Sequence, residues 1–406
     1  MNAAINGFDA TPEGELMVGG LPLRRLAARV GQTPFYAIDR ERVRQRVAQA
    51  RAALPPGVRL HYAVKANPMP ALVGFIRPLV DGLDVASAGE MAVALDAGAD
   101  PSHVSFAGPG KRDAELQQAV AAGVLVNLES AREVAVLAEA SQRLGLPARV
   151  AVRVNPDFEL RGAGMRMGGG AKPFGVDAEA VPQLLRDIGH AGLAFEGFHV
   201  YAGSQNLKGA LIAQALRESW AMVQRLAADV PAPIRHVNLG GGWGIPYFPN
   251  EQALDLEPVT AALAGIEAER QRDWPGARLA LELGRYLVGE AGVYVARVTD
   301  RKESRGQVFL VTDGGLHHHL AASGNFGQVI RRNYPLALGR QVNPTQTETV
   351  SVVGPLCTPL DVLGERVDLA PAHEGDLVVV FQSGAYGASA SPQAFLGHPP
   401  CAEVLV

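Results

Sequence analysis

Parallel β-strands cannot be joined by tight turns, so a chain that alternates short strand-like runs with helical stretches is confined to a few α/β architectures. This chain alternates in that way eight times. The runs "LHYAVKA", "LDVAS", "VSFAG", "VLVNLES", "ARVAVRVNP", "AFEGFHVYAG", "IRHVNLGGG" and "RLALELGR" are separated by stretches of helical periodicity such as "DAELQQAVAAG" and "AREVAVLAEASQRLG". Eight strand–helix units in series point to a closed (β/α)8 TIM barrel more than to an open sheet, and the barrel is expected over residues 33–285. Past Arg285 the texture changes to "VYVARVTDRKESRGQVFLVTDGG", "TETVSVVGPLC" and "GDLVVVFQSGAY", strand-like runs with turns between them, so residues 286–406 are expected to form a C-terminal β domain. Residues 1–32 are expected to pack on that β domain. The glycine-rich connection "DFELRGAGMRMGGGAKPFGV" is expected to be mobile.

Composition removes several classes of function. With 48% hydrophobic and 19% charged residues and a formal charge of -4, the chain has no basic excess to hold a phosphate backbone, so nucleic acid is not an expected partner. The N-terminus "MNAAINGFDATPEGELMV" lacks a basic start followed by an apolar core, and runs such as "DLVVVF" are too short to span a bilayer, so a cytoplasmic location and no membrane partner are expected. Two cysteines, Cys357 and Cys401, are too few for a disulfide framework or a thiolate zinc site.

In barrels of this kind the chemistry gathers where the strands end. Here those ends carry Lys65, Ser87, Gly108, Glu129, Asn155, Gly203 with Ser204, the glycines Gly240 to Gly242, and Glu282 with Arg285. Taken singly they are ordinary: a strand-end lysine is usually a solvated charge, and "LGGGWG" lacks the GxGxxG spacing of a dinucleotide loop. Placed around one mouth, they suit a phosphate-bearing aldehyde cofactor. The amine can form an imine, glycines let backbone N–H groups approach a phosphate, and the acid can pair with a ring nitrogen.

The motifs "HYAVKANP", "DVASAGE", "VRVNP", "GSQN", "LGGG", "ELGR", "VTDGG", "GPLCTPLD" and "GAYG" occur in an order that resembles the fold-type III pyridoxal-phosphate decarboxylases, the group of diaminopimelate and ornithine decarboxylase. The resemblance implies an alanine racemase-like two-domain architecture, pyridoxal 5'-phosphate as cofactor, an amino-acid substrate, and a head-to-tail homodimer with shared active sites. Carried over by position, Lys65 would hold the cofactor as an aldimine and Glu282 would face the pyridine nitrogen. Arg153 would lie near the ring, and Ser204, Gly241, Gly242, Arg285 and Tyr386 would bind the phosphate. Cys357 would reach the neighbouring subunit's site and return a proton to Cα after carbon dioxide leaves. An arginine stands opposite the ring nitrogen in the racemases of this fold type, so Glu282 favours decarboxylation over racemisation; a non-catalytic regulatory homologue is the other alternative.

Departures from the family pattern bear on the substrate. Tyr201 stands where a histidine usually stacks on the ring, with His199 two residues earlier on the same face of the strand. Thr358 follows Cys357 where these decarboxylases usually carry an acid that meets the substrate's far amino group. A neutral threonine cannot pair with an ammonium as a carboxylate does, so a larger or carrier-protein-linked amino acid is expected instead. Arg331, Arg332, Tyr334, Thr358 and Asp361 are the candidate substrate contacts. His317, His318 and His319, read as neighbours on a strand, would alternate faces, so no metal site is expected there. "KPFG" carries an extra proline relative to the family's usual "KFG", which predicts a differently shaped loop.

Overall fold

The computed structural model describes residues 7–158, 165–248, 250–326, 328 and 331–406. The chain forms two compact units, one of residues 47–245 and 252–286 and one built from 1–46, 246–251 and 287–406.

The first unit is a closed barrel of eight parallel strands: β1 (Val58–Ala63), β2 (Gly82–Val85), β3 (Val104–Phe106), β4 (Leu125–Leu128), β5 (Arg149–Asn155), β6 (Ala194–Val200), β7 (His236–Gly241) and β8 (Arg278–Leu283). Each strand pairs with the next, and β8 pairs with β1 to close the ring. A helix follows each strand, and local signals set where it starts and stops. Pro70 opens the first of them, Pro70–Ile76, because a proline at the first helical turn forfeits no hydrogen bond. Ser87 caps the helix Ala88–Asp96 by accepting the Glu90 N–H at 3.1 Å. The helix Val181–His190 buries Val181, Leu184, Leu185 and Ile188, the spacing of a single apolar face.

Alternation along the strands divides the barrel. Val150, Val152 and Val154 of β5 and Leu279, Leu281 and Leu283 of β8 are buried apolar positions, while the intervening Arg149 and Arg153, and Arg278 and Glu282, are polar. Polar groups thus stand at both ends of these strands, with the buried Ala151 and Ala280 between them. Asp84 of β2 takes His61 Nδ1 of β1 at 3.2 Å and the Ser105 hydroxyl of β3, and Asn127 Nδ2 of β4 donates to Ser105 Oγ at 3.2 Å.

The second unit is a β structure built on the 13-residue strand β9 (Gly292–Ser304). One half of β9 lies antiparallel to Phe35–Ile38 and to the strand Leu377–Val380; the other half forms a hairpin with Gln307–Thr312. Leu16, Leu23, Leu26, Phe35, Val293, Val379 and Phe381 share its hydrophobic core. The boundary expected between residues 32 and 33 is thereby corrected. "FYAI" is a short, fully buried run, and its periodicity does not reveal which sheet it joins. It pairs with β9 and with Ala402–Leu405, so residues 33–46 belong to the β unit.

Of the glycine-rich connection, residues 159–164 lie outside the described residues, as do 327, 329 and 330 of the segment after "TDGG". The later part of the connection is tied to the barrel. Asn155 accepts the Gly169 N–H at 3.0 Å and donates to Gly170 O at 2.9 Å, and the Gly175 N–H of "KPFG" donates to Glu129 at 3.0 Å. No described helix is long and apolar enough to cross a membrane.

Candidate active site

The C-terminal ends of the strands bring together most of the barrel residues singled out by sequence. Lys65 sits in a single 3-10 turn, Val64–Ala66, just beyond β1. Asn67 follows and ends the strand: its side chain accepts the Met69 N–H at 3.1 Å and its carbonyl accepts the Tyr62 hydroxyl at 2.9 Å. The strand thus stops with a half-buried amine projecting from a fixed turn. Lys65 Nζ lies 4.8 Å from the centre of the Tyr201 ring.

On the neighbouring strand, Glu282 is 5% exposed and takes hydrogen bonds at Oε2 from His199 Nε2 at 3.1 Å and Asn238 Nδ2 at 3.3 Å. Burial alone would raise the pKa of such a carboxyl. The His199 hydrogen bond and charge, followed by Lys65 and Arg153, outweigh burial and hold Glu282 well below the usual carboxylate range, so it stays ionised inside the barrel. His199 is the penultimate residue of the strand and Tyr201 follows its end, and they do different things. His199 is spent on Glu282, and Tyr201 lies under the lysine. Arg153 donates to Glu129 at 2.8 Å, and Glu129 also accepts the Gly108 N–H at 2.6 Å. Burial pushes the pKa of Glu129 up, but Arg153 and Lys111 bring it below its ordinary value.

The glycines after β6 and β7 form one tight crossing. Gly242 has a φ of +75°, and a Cβ there would collide with Gly203 O, while one on Gly241 would collide with Glu282 O. Ser204 is buried beside this crossing, next to Gly203. Arg285 follows β8 and opens the short helix Arg285–Val288. Asn238 is a partner that the sequence analysis does not single out, whereas Glu129 is named there as a strand-end residue. The signal for Asn238 is alternation in "HVNLGG", which sets it on the same face as Gly240, whose N–H it accepts at 2.8 Å.

The remaining candidates lie in the β unit. Cys357 is an exposed free thiol in the turn after the strand Glu348–Val353. Tyr386 adopts a left-handed φ of +53°. Asp361 turns inward: it is 2% exposed, and its two oxygens accept the Leu316 N–H at 2.6 Å and the Leu356 N–H at 2.8 Å. Each of its oxygens is thus engaged by the backbone around the cysteine turn. Arg331 is likewise committed, to Ser323 O, Glu365 and Val362 O, while Arg332 stacks 3.5 Å over Phe248 and pairs with Glu251. Tyr334 is buried against Tyr247, with ring centres 4.7 Å apart. The three histidines are corrected in their geometry: they lie in turns, not on a strand, with the His317 and His318 rings 3.7 Å apart. No group of three metal-ligating side chains occurs among the described residues.

The barrel residues fit a pyridoxal phosphate. An amine is available for the aldehyde, an ionised buried acid for the ring nitrogen, and a crossing of glycines with no room for side chains for the phosphate. His199 Nδ1 is buried without a hydrogen-bond partner, a polar atom facing a space that its own fold does not satisfy. Bound there, the cofactor would supply a sink for the electron pair left when a carboxylate departs. A closed parallel barrel with this set at its strand ends defines a class of enzyme that works amino acids through a pyridine aldehyde.

Sequence comparison places the chain within that class. A sequence model described as "Pyridoxal-dependent decarboxylase, pyridoxal binding domain" matches residues 40–289, and the chain belongs to this family. It is 37% identical over 92% of its length to the L-glutamyl-[BtrI acyl-carrier protein] decarboxylase of Niallia circulans, 89% of which is covered. It is 32% identical to the diaminopimelate decarboxylase of Aquifex aeolicus, over 97% of this chain and 91% of that one. The crystal structure of diaminopimelate decarboxylase from M. jannaschii in co-complex with L-lysine superposes with a TM-score of 0.86 at 25% identity, covering 100% of this chain and 94% of that one.

Proposed function

We propose that the chain is a pyridoxal-phosphate-dependent decarboxylase of an amino acid joined through its far end to a carrier protein. The observation that carries this reading is the absence of an acid at Thr358. In the family pattern this position meets the substrate's distal ammonium, and a hydroxyl there offers no charge to match. The nearby acid, Asp361, is held by two backbone N–H groups and does not replace it. An acyl group linked to a carrier has no ammonium at that end, so a neutral contact suits it. The similarity to a decarboxylase named for a glutamyl carrier-protein substrate supports the same reading.

In this proposal Lys65 would hold the cofactor's aldehyde carbon through its amine. Glu282, kept ionised by His199, would face the ring nitrogen and favour its protonated form, the chemistry that suits loss of carbon dioxide. Asn238 and His199 fix the carboxylate so that it does not turn toward the lysine. Cys357 of a second copy then delivers a proton to the substrate's Cα, in a homodimer with shared sites. A racemase would be served better by a cation opposite the ring nitrogen. A regulatory homologue would have no need of Lys65, Glu282 and Cys357 together.

The test is release of carbon dioxide by the holoprotein from glutamyl-loaded carrier protein compared with free diaminopimelate, ornithine and glutamate. Turnover of the carrier-linked substrate, with little on the free diamino acids, is expected. Equal or better turnover of free diaminopimelate would remove the carrier reading while leaving the decarboxylase intact.

A further inference from the structure

The opposite end of the barrel carries a second constellation. Four strand regions open on an arginine: Arg59 in β1, Arg149 in β5, Arg235 immediately before β7 and Arg278 in β8. All four line a cavity of about 770 Å3 at the N-terminal mouth, the size of many small-molecule sites. Its floor includes His61, Ser105 and His236. The catalytic candidates occupy the other ends of these same strands, so the two groups are separated along the barrel axis.

The charge around this cavity does not cancel. Glu196 and Asp273 are the carboxylates among its described lining residues. Glu196 is taken up by Arg149 in a fork at 2.5 and 3.0 Å, and Asp273 is paired with Arg272 outside the lining. Arg59, Arg235 and Arg278 make no ion pair among the described residues. Burial, and then the charge of Arg278, lower the pKa of Arg59 against the opposing pull of Asp81, and Arg59 touches His103 Nε2 at 3.4 Å. Like charges gathered around one concavity favour a bound anion.

His236 supplies the second observation. It lines the cavity and is 7% exposed, and its Nε2 is buried without a hydrogen-bond partner. Its ring stacks on His61 with centres 6.0 Å apart. Burial, then His61, push its pKa down to about 3, so at neutral pH it presents an uncharged imidazole able to donate one N–H. We propose that the N-terminal mouth of the barrel binds a small multivalent oxyanion, of the phosphate or polycarboxylate kind, between Arg59, Arg278 and Arg235 with His236 beneath it. Arginine forks match such oxygens in pairs, and the buried histidine adds a donor from below.

The test uses holoprotein, so that the cofactor's own phosphate cup is filled. Calorimetric titration at low salt with pyrophosphate in one arm and citrate in the other is followed alongside the His236 ring resonances. One-site binding in either arm with movement of the His236 signals is expected, and the arm that binds tells phosphate from carboxylate. Arg59→Gln and Arg278→Gln should each weaken binding about tenfold, the loss of one charge-assisted contact, with cofactor absorbance unchanged as the check on folding. Arg225→Gln, on the outer surface beside Asp157, should leave it unchanged. No binding in either arm, unmoved His236 signals, or an equal loss on Arg225→Gln overturns the proposal.

Discussion

Glu282 remains charged where burial would neutralise it, and the means is His199, two residues before the position at which the family pattern places a histidine. Replacing Glu282 with Gln keeps the shape and an acceptor oxygen for His199 but removes the charge. We expect cofactor binding to persist and kcat to fall about a hundredfold, the usual cost of losing one preorganised electrostatic group. Steady-state carbon dioxide release alongside the cofactor absorption band separates the two effects. An unchanged kcat would show that the ring nitrogen does not depend on this carboxylate. The identity of Glu282 and Lys65 as strand-end chemistry is legible in sequence because alternation and turn residues place them. The division of labour between His199 and Tyr201 is not, since two residues so close in the chain can reach different neighbours.

At the scale of the element, the turn that carries Cys357 depends on Asp361. Gly315 and Gly354 pack directly on its carboxylate, leaving no space for a side chain at either position, and two backbone N–H groups have it as their acceptor. Asp361→Ala should cost roughly 2–5 kcal/mol in urea unfolding, since two buried donors lose their partner, and Asp361→Asn should recover part of that. A loss under about 0.5 kcal/mol, ordinary for a surface site, would contradict this role. In sequence Asp361, the last residue of the motif "GPLCTPLD", is a candidate substrate contact. Chain spacing does not tell which way a turn residue points. The same limit explains the three histidines: an alternation argument presupposes a strand, and "LHHHL" is built as turns.

For the whole molecule, the barrel is legible because eight units repeat one physical pattern, whereas the origin of Phe35–Ile38 in the other unit is not, because an isolated buried run carries no address. Acid stability follows from histidines that both units hold neutral. Burial pushes His319 down to about 3, with its Nδ1 accepting the Ala322 N–H at 3.3 Å, and His236 down to about 3, against 6.5 in an open chain. Between those values the unfolded chain binds protons that the folded one refuses. Stability is therefore intact above about pH 6.5 and declines as pH falls toward 3, by up to about 1.4 kcal/mol per pH unit for each histidine. Urea midpoints measured between pH 7 and 5 should fall, and His319→Gln should flatten the decline; a level midpoint in the unsubstituted chain would contradict the assignment. The strand Phe35–Ile38 lies between β9 and Ala402–Leu405, so one of its two neighbours is synthesised long after it. At ordinary translation speeds of about 5–20 residues per second, it waits on the order of 20–80 s with an unclaimed edge while the ribosome works through everything in between. During that interval protection from other nascent chains must come from outside its own sheet.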